Sequence, residues 1–172
     1  MKKREIHDPY AELIDRFNRR GVEYVVVGMS GINYYASNAK EAFVTQDFDI
    51  FVRPAIGNVK KALEVFKGLD YNLAVKGKEL KDAFVKKVVA EKNTISAVDP
   101  YGIMFELILA VSGYRFDQME GGATVFMVEN IPVKVAKLRK LLQSKKLAGR
   151  EKDKLFLKRY EMFLKEKSGV RR

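Results

Sequence analysis

The sequence predicts an α+β fold, a mixed β-sheet with helices packed on it and a pair of helices closing the chain. Three observations predict it. Short β-rich runs, such as Tyr24 to Val27, alternate with helix-period patterns in the first half. Two pairs of apolar runs in the second half are joined by turn residues and read as hairpins. The last third then shifts to an amphipathic helical period. With 172 residues and no internal repeat, low-complexity tract or linker, the chain reads as one domain spanning residues 1–172.

Asp8 can cap a first helix, Pro9 suits its first position, and Tyr10, Leu13, Ile14 and Phe17 form one apolar face before Gly21 ends it. Tyr24 to Val27 reads as a buried strand. Gly28-Met29-Ser30-Gly31 makes a tight turn into a short helix through Ile32 and Tyr35, and Ser37 to Glu41 reads as a loop. Asp47 to Val52 alternates as a second strand. Asn58 is expected to open a helix with Val59, Ala62, Leu63 and Phe66 inward, closed by Gly68, and another helix is expected over Glu79 to Ala90. Thr94 to Val98 and Ile103 to Leu109 flank Asp99-Pro100-Tyr101-Gly102, a strong turn signal. Ala123 to Val128 pairs with Ile131 to Val135. Two helices follow, at about residues 136–166, through Leu138, Leu141 and Leu142 and then Phe156, Tyr160 and Phe163.

The absence of cysteine excludes disulfides, thiolate metal sites and cysteine nucleophiles. The one histidine, His7, sits in an expected terminal segment, which argues against a serine hydrolase. No apolar run approaches a membrane span, and Met1-Lys2-Lys3-Arg4 is not followed by the apolar stretch of a secretory signal, so a cytoplasmic protein is expected. The formal charge of +11 is unevenly placed: Lys134 to Arg172 holds 15 of the basic residues and 4 of the acidic ones, which is the whole surplus. One reading is a solvated helical face; the other is a surface for a polyanion, either nucleic acid or an acidic protein.

The chemistry concentrates around Asp47-Phe48-Asp49. Residues two apart on a strand share a face, so Asp47 and Asp49 point one way while Phe48, Ile50 and Val52 point the other. Two carboxylates this close repel, and a divalent cation relieves the conflict. Hard oxygen ligands suit Mg²⁺ or Mn²⁺, and Mg²⁺ commonly binds substrate phosphates as well. Glu106 interrupts the apolar run Ile103 to Leu109, and a charge in such a strand needs a partner or a metal. If its strand lies beside that of Asp47, three carboxylates converge as catalytic and metal-ligating groups. The alternative is two acids at a strand end and one salt-bridged glutamate.

Two further segments could hold phosphates. The Gly28 to Gly31 turn, between strand and helix, would present backbone N–H groups, and Ser30 adds a hydroxyl. Lys146, Arg150 and Asp153 stand at i, i+4 and i+7, one face of a continuous helix. There the two cations could grip terminal phosphates and the aspartate orient them. Gly149, a residue that weakens helices, lies between them, and a solvated basic face explains the spacing equally well.

In chain order, Val27-Gly28, Asp47-Phe48-Asp49-Ile50 and Phe105-Glu106-Leu107 resemble the signature of the polymerase-beta-like nucleotidyltransferase superfamily. That signature is a glycine turn, a spacer, an Asp-hydrophobic-Asp pair and a third acid on a later strand. Within it, Thr45-Gln46-Asp47-Phe48-Asp49 and Lys146-Leu147-Ala148-Gly149-Arg150-Glu151-Lys152-Asp153 look like motifs of the small abortive-infection toxin-type nucleotidyltransferases. The resemblance runs patchily from Tyr24 to Phe163. It implies a nucleotidyltransferase fold, an NTP substrate, Mg²⁺ or Mn²⁺, metal binding by Asp47 and Asp49, and Glu106 as a ligand or base. It also implies triphosphate binding by Lys146, an active-site place for Asp153, and, for the toxin-type group, an antitoxin protein as partner. The chain departs from the pattern at Met29, where the second Gly or Ser is usual, at Phe43, where arginine is frequent, in a longer spacer and in Glu106 rather than Asp.

The leading expectation is therefore an enzyme that moves a nucleoside monophosphate to a hydroxyl. The basic C-terminal helices favour RNA such as tRNA as acceptor. Two others stay open: a small-molecule, antibiotic-type nucleotidyltransferase, and a non-catalytic relative that binds nucleotide or a partner.

Overall fold

A computed structural model of the chain describes residue 6, residues 8–36 and residues 47–169, with side chains through Met162. His7, the loop expected at Ser37 to Glu41, Phe43, Thr45 and Gln46 lie outside the described residues.

Asp8 caps the first helix, α1 (Pro9–Arg20), through one carboxylate oxygen that accepts the N–H of Tyr10 at 2.9 Å and of Ala11 at 3.2 Å. Gly21 ends it in the left-handed conformation, and Leu13, Ile14 and Phe17 are buried. β1 (Tyr24–Val26) follows, then the short α2 (Gly28–Asn33), then β2 (Phe48–Val52), which returns antiparallel beside β1. α3 (Ile56–Gly68) leads to β3 (Asn72–Val75) and the two-residue β4 (Lys78–Glu79). α4 (Val85–Ala90), β5 (Ile95–Val98), β6 (Met104–Ile108), α5 (Phe116–Glu120), β7 (Thr124–Val128) and β8 (Ile131–Val135) come next. The chain closes with α6 (Leu138–Ala148) and α7 (Glu151–Gly169). Among the described residues the eight strands form one mixed sheet in the order β4-β3-β5-β6-β2-β1-β8-β7, and the class is α+β.

Both hairpins expected from turn residues are present. Asp99 closes the first by accepting the N–H groups of Tyr101 and Ile103, at 2.9 and 2.7 Å. In the second, Glu129 and Asn130 both adopt positive φ, the turn that matches the twist of a two-residue hairpin.

Two expectations need correction. α3 starts at Ile56, and Asn58 is not its cap. The Asn58 amide is buried and bonds backbone instead, accepting from Glu23 N–H at 2.8 Å and donating to the carbonyls of Glu23 and Arg53. The helix closes at Gly68 as expected, and the chain turns after it at Asp70, with φ of 61°. The helix expected over Glu79 to Ala90 is only α4, preceded by a 3-10 turn at Asp82–Phe84, because Lys78–Glu79 pairs with β3 around a Lys76-Gly77 turn. α5 has no signal in the sequence; five residues are too few to show a period.

The sheet alternation sorts the chain into two sides. Phe48, Ile50, Phe105 and Leu107 are buried on one face, where Phe48 stacks with Tyr10 of α1 and Phe105 meets Tyr10 and Phe66 of α3 edge-on. Asp49, Phe51, Glu106 and Ile108 turn to the other face, where Phe51 packs on Phe116 of α5. One face is thus a complete hydrophobic core. The other combines apolar packing with a carboxylate pair in the middle of the sheet.

Candidate active site

β2 and β6 run parallel with Asp49 opposite Glu106, so period-two geometry sends both carboxylates to the same face from neighbouring strands. Asp47 precedes β2 by one residue, and all three acids line one cleft of about 700 Å³. That volume suits a nucleotide-sized ligand. Ser96 stands opposite Glu106 on β5 and donates its hydroxyl to Glu106 Oε1 at 3.1 Å.

Beneath Asp49 lies the glycine turn. Gly28 has φ of 67°, and a Cβ built there would sit 2.3 Å from Asp49 Oδ2. Only a residue without a side chain leaves that carboxylate its seat. Ser30, expected to face phosphate, is placed otherwise. It is buried, and its hydroxyl donates to the Val27 carbonyl at 2.9 Å while accepting the Asp49 N–H at 3.0 Å. Ser30 therefore fastens α2 to β2 and fixes the backbone that carries Asp49. Gly28 and Met29, not Ser30, line the cleft.

The opposite wall is cationic. α6 ends at Gly149, in the left-handed conformation, so Lys146, Arg150 and Asp153 do not share one continuous helix face. Lys146 is exposed and outside the cleft lining; Lys145 is inside it. The helical period carries the signal that separates them. From the buried Leu141, Ser144, Lys145 and Ala148 follow at i+3, i+4 and i+7, whereas Lys146 falls at i+5 and turns outward. Arg150 and Lys152 complete the wall from the chain leading into α7 and from its first turn. Sequence reasoning misses Lys152, because in the Lys-Asp pair the aspartate alone draws attention.

Asp153 organises these cations. It is 1% exposed, receives Arg150 Nε at 2.7 Å and Nη2 at 3.3 Å, and pairs with Lys145 Nζ at 3.5 Å. Lys145 also lies 5.0 Å from the Phe156 ring centre. Burial alone would raise the Asp153 carboxyl, but Arg150 and Lys145 outweigh it and hold it below the ordinary range. Burial lowers the Lys145 ammonium, a shift that Asp153 and the more distant Asp49 oppose.

The acids show the strain of their crowding. Burial, then Asp47, then Glu106 push Asp49 up to about 7, with Lys145 and Lys152 pulling the other way. Glu106 is raised by burial, against the Ser96 hydrogen bond. Among the described residues no three acidic or imidazole side chains gather closely enough to form a ready-made metal site. The chemistry of the donors nevertheless fits a small divalent cation at the Asp47–Asp49 pair. Both are hard oxygen donors lining one cleft, and burial together with the Asp47 carboxylate disfavours the Asp49 charge, a conflict that a cation would relieve. Glu106, already engaged by Ser96, stands one strand further along.

No family model matches the chain, and no curated protein matches it. Among the described residues no helix is long and apolar enough to cross a membrane.

Proposed function

We propose that the chain is a metal-dependent nucleotidyltransferase of the polymerase-beta-like kind, moving a nucleoside monophosphate from an NTP to a hydroxyl and releasing pyrophosphate. One observation carries the reading: Asp49 and Glu106 stand side by side on a sheet face, with Asp47 beside them and Lys145, Arg150 and Lys152 lining the same cleft. Acids and cations in one cleft suit a polyanionic substrate that arrives with a divalent ion.

In this account Lys145, Arg150 and Lys152 hold the triphosphate, and Asp153 keeps the first two aimed. Asp47 and Asp49 hold Mg²⁺ or Mn²⁺, which when bound offsets negative charge on the phosphoryl group in transfer. The acceptor oxygen attacks the α-phosphorus, its proton passes to Glu106, and the bond from the α-phosphorus to the bridging oxygen breaks as pyrophosphate leaves. The acceptor is proposed to be RNA such as tRNA, because the surplus positive charge lies in the segment that carries α6 and α7. An antitoxin protein would have to compete for those cations, and a cytoplasmic setting agrees with these partners.

The test is incubation with total RNA, Mg²⁺ and each α-labelled NTP. Label in RNA supports the proposal. Label only in a small molecule moves the acceptor to the antibiotic-type class, and no label under any NTP removes the enzymatic reading.

A further inference from the structure

We infer that Ser96 is a positioning residue for the Glu106 carboxylate, a role that rests on the proposed reaction and extends it to a third strand. Asp49, Glu106 and Ser96 form one row across β2, β6 and β5, each directly opposite the next. Side chains in such a row share a face and stand within reach of one another. Ser96 uses the position to donate to Glu106 Oε1 at 3.1 Å, and among the described residues this is the carboxylate's one hydrogen bond. The neighbours of Ser96 on its strand, Ile95 and Ala97, are fully buried and lock β5 against the core, so the hydroxyl is presented from a rigid base. A glutamate side chain has three torsions and wanders unless something holds it. With Oε1 tied to Ser96, Oε2 is the oxygen left to receive the acceptor proton.

Ser96 touches no reacting atom in this account; it acts through Glu106. Its loss should therefore slow the chemical step while leaving substrate affinity alone. A hydrogen bond to a charged group is worth enough to change a rate about tenfold. Thr is the conservative replacement, since it keeps the hydroxyl and suits a strand.

The experiment compares Ser96→Ala and Ser96→Thr with the wild-type chain in two readouts. In transfer of α-label from NTP, Ser96→Ala should lower kcat about tenfold with the KM for NTP unchanged, and Ser96→Thr should restore most of it. In crystal structures of the ligand-free proteins, Glu106 should hold one side-chain conformation in wild type and Ser96→Thr, and spread over several in Ser96→Ala. An unchanged kcat in Ser96→Ala, a matching rise in KM, or a single unaltered Glu106 conformation overturns the inference. The two levels fail separately. A wild-type chain that transfers nothing sinks the proposed reaction, whereas the Glu106 conformations still decide whether Ser96 positions it.

Discussion

At the scale of single residues, Asp49 joins fold to function most directly. Its carboxylate occupies space that only a glycine at position 28 leaves open, and its N–H is fixed by Ser30. Its folded-state pKa of about 7 lies above the ordinary 3.8, so the folded chain without metal binds that proton more tightly than the unfolded chain. The corresponding stability is fully present below about pH 4 and is lost as pH rises through 7. Asp49→Asn carries no charge to lose. At pH 8 it should be more stable than the wild type by about 2 kcal/mol, less than the ~4 kcal/mol that so large a rise would give without solvent screening. At pH 4 the two should melt together. Thermal unfolding at both values, in chelator, checks this; a variant less stable at pH 8 would contradict it. The acids were legible in the sequence because a period of two and one interrupted apolar run place them. The purposes of Gly28 and Ser30 were not. A glycine turn before an acidic strand looks the same whether it cradles phosphate or makes room for a carboxylate. The difference lies in contacts with Asp49, nineteen to twenty-one residues away in sequence.

At the scale of elements, α6 and α7 decide which cations reach the cleft. The sequence motif points to Lys146, and the period measured from Leu141 points to Lys145. Lys145→Ala should weaken NTP binding at least tenfold, in keeping with the loss of a charge-assisted contact, and Lys146→Ala should change it less than about twofold. Isothermal titration with a non-hydrolysable NTP and Mg²⁺ distinguishes them; equal losses, or the reverse order, would return the role to Lys146. Asp153 belongs to the same element junction. It is buried between Arg150 and Lys145, so Asp153→Ala strands a half-buried ammonium and should cost about 3 kcal/mol of stability, read by urea unfolding. A loss under about 1 kcal/mol would show that the pair is dispensable. Elements with a long period or a strong turn signal could be read in advance, as α1 and the hairpins of β5 with β6 and β7 with β8 were. The β3–β4 pair and α5 could not. Two and five residues carry too little pattern, and their conformation is set by what they pack against.

At the scale of the molecule, the sheet separates two tasks. One face is closed by α1 and α3 into an apolar core, and the other holds the cleft, so the site can tolerate crowded charges without weakening the main packing. The α+β class was legible as a sum of local patterns. The strand order was not, because β1 sits between β2 and β8 through contacts far apart in sequence. The whole charge surplus falls in the C-terminal segment, which predicts that RNA binding weakens steeply with salt as counterions are released. Replacing one exposed cation there, Lys158 or Arg159, should flatten the plot of log affinity against log salt by about one unit without changing NTP binding. A slope near zero in the wild type would mean that the charge is a solvated face. The central claim is nucleotidyl transfer at the Asp49–Glu106 cleft, and the measurement that tests it most directly uses one NTP labelled in turn at its α- and γ-phosphorus, with RNA and Mg²⁺. The account predicts that α-label enters RNA, that γ-label leaves only as pyrophosphate, and that Asp49→Asn abolishes the transfer. Appearance of γ-label in the acceptor, or undiminished transfer by Asp49→Asn, would contradict it.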